Sequence, residues 1–447
     1  MNRKFWFALQ RLYEIMRGYK ISNWSQLYQE SGNWTAEQIQ SFQQERLGEQ
    51  LRHACDRIPY YRKLEDSGQL PLNSSSSEEW LTQFPLMSKK DYQRFPSDFH
   101  LQADMSQHTS NQTGGSTGEV LDFYQDKTYM SASWASQRYF NSWSGYVPGS
   151  KWASIWGAAI EDKQQQKVRT RLAKLIYHQL FISTFDLKPD SIRQKIETIV
   201  NFKPKIVHGF PSAMETFARY ILNNDLQIDF LVGVMTSAET LQPDQRELIE
   251  KAFRAPVYNR YGSREFSSLA MECSAHSGLH LDEIRNYFEF LPVSDGLAEI
   301  VVTQLTNQAM PLIRYRTGDI ARLSDKDSSV EYCSCGSALS KVAGIEGRTW
   351  DLIRGKSGEV ITGTFWRLLR SRPGTVQFQV HQRNLEQIEI NLLTNEQWQP
   401  ENEEYYRQMT QSQFQDPVTI RFNYPDEIPA SASGKHRFVI SDVGAEG

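Results

Sequence analysis

Polar and apolar positions change rhythm along the 447-residue chain, and each change predicts a different architecture. Up to about residue 105 the period is helical. Residues 35–65 and 88–94 place apolar side chains three and four apart, with Ile58-Pro59 and Phe84-Pro85 as breaks. The run of serines within 70–79 reads as a solvated loop. The N-terminus, Met1 to Tyr13, is basic and apolar, but its hydrophobic run is short and no small-residue cleavage site follows, so it does not read as a leader. It reads instead as an amphipathic helix docked on its own domain, with a membrane surface as the alternative. After helical pattern at 127–139, short apolar runs predict strands at 152–157, 205–209 and 230–235, with helices at 191–202, 212–223 and 243–252. Strands alternating with helices imply βαβ crossovers and a largely parallel sheet, whose ligands sit at the carboxyl ends of the strands. From about residue 279 the texture is strand-rich, at 287–291, 299–303 and 321–323. The last hundred or so residues look like a small α+β unit. The expected fold is therefore α/β: residues 1–350 form a large domain with mixed and parallel sheets behind a mainly helical lead-in (1–105), and 351–447 form a small, mobile α+β domain.

Composition narrows the function classes. Hydrophobic residues at 39% and charged residues at 23% describe a globular chain too long for a single core. Lys plus Arg (49) against Asp plus Glu (53) leaves a net charge of −4, so no polybasic field points to nucleic acid. No stretch approaches the ~20 apolar residues of a spanning helix. Four cysteines in so long a chain argue against a disulfide scaffold and fit a reducing, cytoplasmic setting.

Candidate chemistry begins at Ser110-Asn111-Gln112-Thr113-Gly114-Gly115-Ser116-Thr117-Gly118-Glu119. Glycines at 114, 115 and 118 let backbone N–H groups converge on phosphate oxygens, with Ser and Thr hydroxyls as further donors. A flexible surface loop has the same composition, and no GK[ST] closes the stretch as in a Walker loop. Downstream come four short polar motifs: Asn259-Arg260-Tyr261-Gly262-Ser263-Arg264-Glu265, Tyr315-Arg316-Thr317-Gly318-Asp319, Gly347-Arg348-Thr349-Trp350-Asp351 and Ser433-Gly434-Lys435. Each alone reads as a turn or a surface ion pair. In this order they supply what a nucleoside triphosphate needs: Tyr261 a ring face for the purine, Glu265 an oxygen ligand for Mg²⁺, Asp319 an acceptor for ribose hydroxyls and Arg348 a donor to the same ribose. Lys435 adds a mobile ammonium for charge developing on an α-phosphate.

These residues resemble the adenylate-forming (acyl- and aryl-CoA ligase) superfamily, and within it the phenylacetate–CoA ligase-like proteins of the capsular-polysaccharide-biosynthesis type. The resemblance spans about residues 85–445. It extends to His208-Gly209-Phe210-Pro211-Ser212, Thr236-Ser237-Ala238-Glu239, Pro311-Leu312-Ile313-Arg314 and Val376-Gln377-Phe378-Gln379-Val380. It implies that a carboxylate attacks the α-phosphate of ATP, releasing pyrophosphate, and that a thiol, usually coenzyme A, then takes the acyl group. Catalytic residues would be Lys435, Glu265 and Thr117. Ser110, Thr113, Gly114, Gly115, Ser116, Gly118, Ser237, Ala238, Glu239, Asn259, Tyr261, Gly262, Ser263, Asp319 and Arg348 would bind the nucleotide. His208, Phe210 and Ser212 would line the acyl pocket, and Asp351 would be the hinge of the small domain. Partners on this reading are a carboxylic acid and an acyl acceptor, with a homodimer left open. Alternatives are transfer to a hydroxyl, amine or carrier-protein thiol, or a weakened nucleotide-binding module. The sequence departs from the family pattern at Glu119-Val120, beside the expected phosphates, and at Arg264; Arg264 and Lys127 are the candidate cations to offset Glu119.

A second constellation is metallic. Cys273, His280, Cys333 and Cys335 are the thiolate and imidazole set of a closed tetrahedral Zn²⁺ site, structural rather than catalytic. Burial of the thiols as small hydrophobes is the alternative reading, and His276 the alternative fourth ligand. Gly278-Leu279-His280 better resembles the relatives' metal-site pattern.

Overall fold

A computed structural model describes residues 2–70, 75–101, 108–113, 120–157, 168–184, 186–324, 333–428 and 438–443. Helices at Arg3–Met16, Ile21–Ser31, Ala36–Arg57, Pro59–Asp66, Ser77–Gln83 and Lys89–Arg94 lead in. Their bounds follow from local chemistry: Thr35 and Gln38 cap each other's backbone in a capping box, and Pro59 starts a new helix at its first position. The stretch expected as a solvated loop is a loop only in part. Ser76 accepts from the Glu79 N–H and starts a helix at Ser77, while Leu70 is buried. The serine run masked an N-cap.

The strands are β1 (Thr109–Gln112), β2 (Asp122–Gln125), β3 (Trp152–Trp156), β4 (Gln179–Ser183), β5 (Ile206–Gly209), β6 (Gly233–Ser237), β7 (Val257–Ser263), β8 (Ser267–Glu272), β9 (Leu279–Leu281), β10 (Asn286–Ser294), β11 (Leu297–Gln304), β12 (Tyr315–Leu323) and β13 (Lys341–Arg348). The small domain adds β14 (Ile353–Arg354), β15 (Val360–Ile361), β16 (Thr375–Asn384), β17 (Gln387–Thr394), β18 (Thr419–Asn423) and β19 (Val439–Ser441). The apolar run at 230–235 enters its strand late: β6 begins at Gly233, and Val232 is exposed before it.

One sheet of eleven strands dominates, in the order β10-β11-β12-β13-β9-β8-β7-β6-β5-β3-β4. The sheet is mixed, as expected: the strands that alternate with helices are parallel from β4 to β7, and every pairing from β7 to β10 is antiparallel. The physical reason is connection length. The parallel strands are joined through the helices Pro189–Phe202, Pro211–Asn223 and Pro243–Phe253, whereas β7 to β8 and β10 to β11 are hairpins.

The parallel half is covered on both faces. Ala153, Ile155, Val207, Val234 and Val257 pack under those three helices. On the opposite face Ile206, Met235 and Tyr258 meet Tyr28 of Ile21–Ser31 and Ala135 and Phe140 of the helix Lys127–Trp143. A buried polar post ties the lead-in to this face: Tyr28 Oη and Ser136 Oγ donate to the two Asp282 oxygens at 2.6 Å each, and Arg285 Nε donates to Asp282 Oδ2 at 2.8 Å. The N-terminal helix is docked as expected, through an ion pair of Glu14 with Arg138 and a hydrogen bond from Gln10 to the Ile176 carbonyl. No described helix is long and apolar enough to cross a membrane.

The small domain has its own core. Its sheet, β18-β17-β16-β19, carries the helix Glu401–Gln411 and the 3-10 helix Phe365–Arg370 around Trp366, Phe378, Ile390 and Tyr406. At this 3-10 helix Arg367 Nη2 donates to the Thr240 carbonyl of the large domain at 3.4 Å, and Thr362 and Thr364 just before it donate to Glu346.

Candidate active site and metal centre

The described residues on either side of the glycine-rich stretch pair as a hairpin, β1 with β2, that the sequence pattern did not predict. β1 pairs antiparallel with β2, and the Thr113 hydroxyl accepts from the Leu121 N–H at 2.9 Å while its own N–H donates to the Leu121 carbonyl at 3.0 Å. Thr113 therefore closes the hairpin, and Ser110 lies exposed on β1. Gly114, Gly115, Ser116, Thr117, Gly118 and Glu119 lie outside the described residues, as does Lys435. Of the two cations expected near Glu119, Arg264 donates to the Gln112 carbonyl at 3.3 Å, on β1. The Lys127 amine lies instead against Gly18.

Three of the separate motifs converge on one carboxylate. Asp319, buried on β12, accepts from Tyr261 Oη at 2.7 Å through Oδ2 and pairs with Arg348 Nε at 2.8 Å through Oδ1. Arg348 also donates to the Thr317 carbonyl at 3.2 Å and its guanidinium lies over Trp350 at 5.1 Å. β12 pairs with β13, with Asp319 opposite Arg348, and this register brings the two motifs together. Burial and the Asp319 charge push the Tyr261 phenol well above its ordinary range. Burial opposes the Arg348 cation, but Asp319, Tyr261, Glu265 and Asp351 outweigh it and hold its pKa up.

Gly262 is needed where it stands, since a Cβ there would meet the Ser267 carbonyl at 2.1 Å. Glu265 follows on the turn between β7 and β8. Its carbonyl accepts from Tyr129 Oη and Gln304 Nε2, both at 2.9 Å, and its carboxylate receives Tyr315 Oη at 3.4 Å. The Asn259 N–H donates to Glu272 Oε2, and Ser263 Oγ accepts from the Phe266 N–H at 3.4 Å. Asp351 closes the 3-10 turn Thr349–Asp351 that leads from β13 into the small domain, and Leu352 then packs on Ile320 and Leu297.

At the carboxyl ends of the parallel strands the expected acyl-pocket residues gather. His208 lies near the end of β5, with its ring 5.0 Å from Trp156, and the Phe210 ring lies against Trp156 at 4.1 Å. Ser212, in the first turn of Pro211–Asn223, donates through its N–H and its hydroxyl, both at 3.0 Å, to Glu239. Glu239 is thus an anion at a helix N-terminus. It follows Ala238, which has φ +68, and Ser237, buried at the end of β6. Burial, reinforced by the adjacent Arg260 cation, depresses the His208 pKa well below the usual imidazole range. Arg260 Nη2 donates to His208 Nε2 at 3.1 Å. Trp156 and Arg260 were not among the expected site residues; only the period-2 alternation of β3 and β7 could have placed them beside His208.

The cysteine cluster assembles as expected. One ligand atom from each of Cys273, His280, Cys333 and Cys335 lies within 4.8 Å of all the others. Cys273 Sγ is 3.7 Å from Cys333 Sγ, and Cys335 Sγ is 3.5 Å from His280 Nε2. A tetrahedron with metal–sulfur bonds of ~2.3 Å has sulfur–sulfur edges of ~3.8 Å, so the donor set fits Zn²⁺. His280 Nδ1 donates to the Leu339 carbonyl at 2.9 Å, which leaves Nε2 as the donor facing the thiols. His276 does not join; its Nδ1 is 3.3 Å from Glu272 Oε2. The ligands come from the end of β8, from β9 and from the turn before β13, at the junction of the antiparallel strands.

Comparison with known proteins agrees with this architecture. Residues 352–442 match the CapK C-terminal domain family. Protein CapK of Staphylococcus aureus is 27% identical over 338 residues, 74% of either chain. The phenylacetate–coenzyme A ligase of Thermus thermophilus is 23% identical over 339 residues, 71% of this chain and 72% of its own. Among solved structures, a 2-hydroxyisobutyryl-CoA ligase in the postadenylation state superimposes with a TM-score of 0.71 at 18% identity, covering 92% of this chain and 91% of that one.

Proposed function

Given that the chain is a CapK-like member of the adenylate-forming superfamily, distant from the phenylacetate–coenzyme A ligases, we propose that it activates a carboxylic acid with ATP and hands the acyl group to coenzyme A. The observation that carries this reading is the clamp of Tyr261, Asp319 and Arg348, in which three motifs distant in sequence meet beside the turn that holds Glu265.

In the first step a substrate carboxylate oxygen attacks the α-phosphorus, the bond to the departing pyrophosphate breaks, and an acyl-adenylate forms. Asp319 and Arg348 receive the ribose, and Tyr261 borders the base. The glycine-rich stretch, with Thr117, would supply donors to the phosphates, and Lys435 would offset the charge that grows on the α-phosphate. Glu265 would hold Mg²⁺, which when bound spreads the triphosphate charge. The second step is attack of a thiol sulfur on the acyl carbonyl, with loss of AMP and release of the thiol proton to solvent. Rotation of the small domain about Asp351 withdraws Lys435 between the steps. Zinc on the Cys₃His set would be structural, since four protein ligands leave no open position.

The test is product analysis with aryl, fatty and hydroxy acids, with and without coenzyme A. Acid-dependent AMP and pyrophosphate, with turnover that requires the thiol, support the reading. ADP and phosphate, or AMP release indifferent to the acid, contradict it. Turnover that needs an amine or a carrier protein instead keeps the activation step and replaces the acceptor.

A further inference from the structure

Among the described residues, Arg260 is a cation with no acid paired to it. Its neighbours follow from the strand register: Ser154 lies opposite His208, His208 opposite Met235, and Ser237 opposite Arg260. Partners on parallel strands point the same way and side chains alternate, so Trp156, His208, Ser237 and Arg260 share one face at the carboxyl ends of β3, β5, β6 and β7. Tyr261, one residue on, points to the other face. Among the described residues Arg260 makes one side-chain hydrogen bond, to His208, and has no carboxylate in ion-pairing range. Arg138, Arg246, Arg285, Arg314 and Arg348, by contrast, each hold an acid. Partial burial lowers the Arg260 pKa to about 10.

A desolvated guanidinium is costly unless an anion meets it, and a neutral imidazole does not cancel its charge. An anion is therefore wanted on this face, beside the Trp156 and Phe210 rings. The reacting carboxylate is a poor candidate, because a bidentate arginine would occupy both of its oxygens and blunt its attack on phosphorus. We propose that Arg260 reads a second carboxylate on the acid substrate, so that the preferred substrate is a dicarboxylic acid, held by Arg260 at its far end and along its skeleton by Trp156 and Phe210. His208 accepts from Arg260 and is a positioning residue, orienting the fork. This inference rests on the activation reading above.

The experiment is acid-dependent ATP–pyrophosphate exchange by the full-length protein, with short-chain and aryl dicarboxylic acids each set beside the monocarboxylic acid of the same skeleton. The wild type should favour a dicarboxylic acid in kcat/KM by on the order of 100-fold or more, the scale set by leaving a buried polar group unpaired. Arg260→Gln should raise KM for that acid by a similar factor, spare KM for ATP and improve the matched monocarboxylic acid. Arg260→Lys should keep part of the preference, and matching thermal midpoints separate these effects from misfolding. Preference for monocarboxylic acids, an equal loss for both classes in folded Arg260→Gln, or a raised KM for ATP overturns the assignment; the last would give Arg260 to the triphosphate. Exchange with monocarboxylic acids only leaves the activation reading standing while this inference falls. No exchange with any acid fails both.

Discussion

His208 is the residue whose environment makes the sharpest statement about protonation. Its pKa is depressed by burial and by Arg260, so the folded protein keeps the ring neutral where the unfolded chain would charge it. The sign follows from linkage: below the unfolded value of about 6.5 the unfolded state binds the extra proton, and stability falls as pH falls. Urea midpoints measured from pH 7.5 to 5 should therefore decline more steeply in the wild type than in His208→Gln. The difference should approach about 1 kcal/mol per pH unit below about pH 6. Identical pH slopes in the two proteins would mean that the ring charges freely in the folded state. At this scale the sequence was half legible. Tyr261, Asp319 and Arg348 were recognisable because the order of their motifs is rare, and the structure joins them in one clamp. Arg260 stood inside the Asn259–Glu265 motif without being singled out, because a sequence shows that a side chain is charged but not whether a carboxylate reaches it.

Elements were read well where a boundary had a local cause, as at Thr35 and Pro59, and poorly where it depended on pairing. β1 and β2 are four residues each with few apolar positions, so only their mutual register marks them as strands. The run around Val232 looked like strand until Gly233, where pairing with Ile206 begins. The Cys₃His cluster was legible because thiol and imidazole spacing is informative in itself. What the sequence did not reveal is where the centre lies: it binds the end of β8, β9 and the turn before β13, and β9 has only three residues to hold the junction. Elemental analysis of purified protein should find close to one zinc per chain. Cys335→Ser should lose the metal and lower the thermal midpoint by about 5 °C or more, since metal binding counts toward folding. Metal-free wild-type protein of unchanged stability would return the thiols to the core.

For the whole molecule, the mixed sheet is as expected, and its antiparallel half begins where the helical crossovers stop: β7 to β8 and β10 to β11 are short hairpins. The small domain is joined to the large one through the Thr349–Asp351 turn, the Leu352 contact and, among the described residues, hydrogen bonds from Thr362, Thr364 and Arg367. That construction suits a division of labour between two half-reactions. Lys435→Ala should slow adenylation by on the order of 100-fold to 1,000-fold, as removal of a preorganised charge does. Thiol transfer from a supplied acyl-adenylate should stay within a few-fold of wild type. Equal loss in both half-reactions would contradict alternation of the domain.

The central claim is that a carboxylate oxygen attacks the α-phosphorus of ATP, and isotope transfer tests it most directly. With an acid labelled by ¹⁸O in its carboxylate, the account predicts AMP carrying one labelled oxygen at its phosphate for each acid activated and released. Unlabelled AMP, or label found in inorganic phosphate beside ADP, would contradict it.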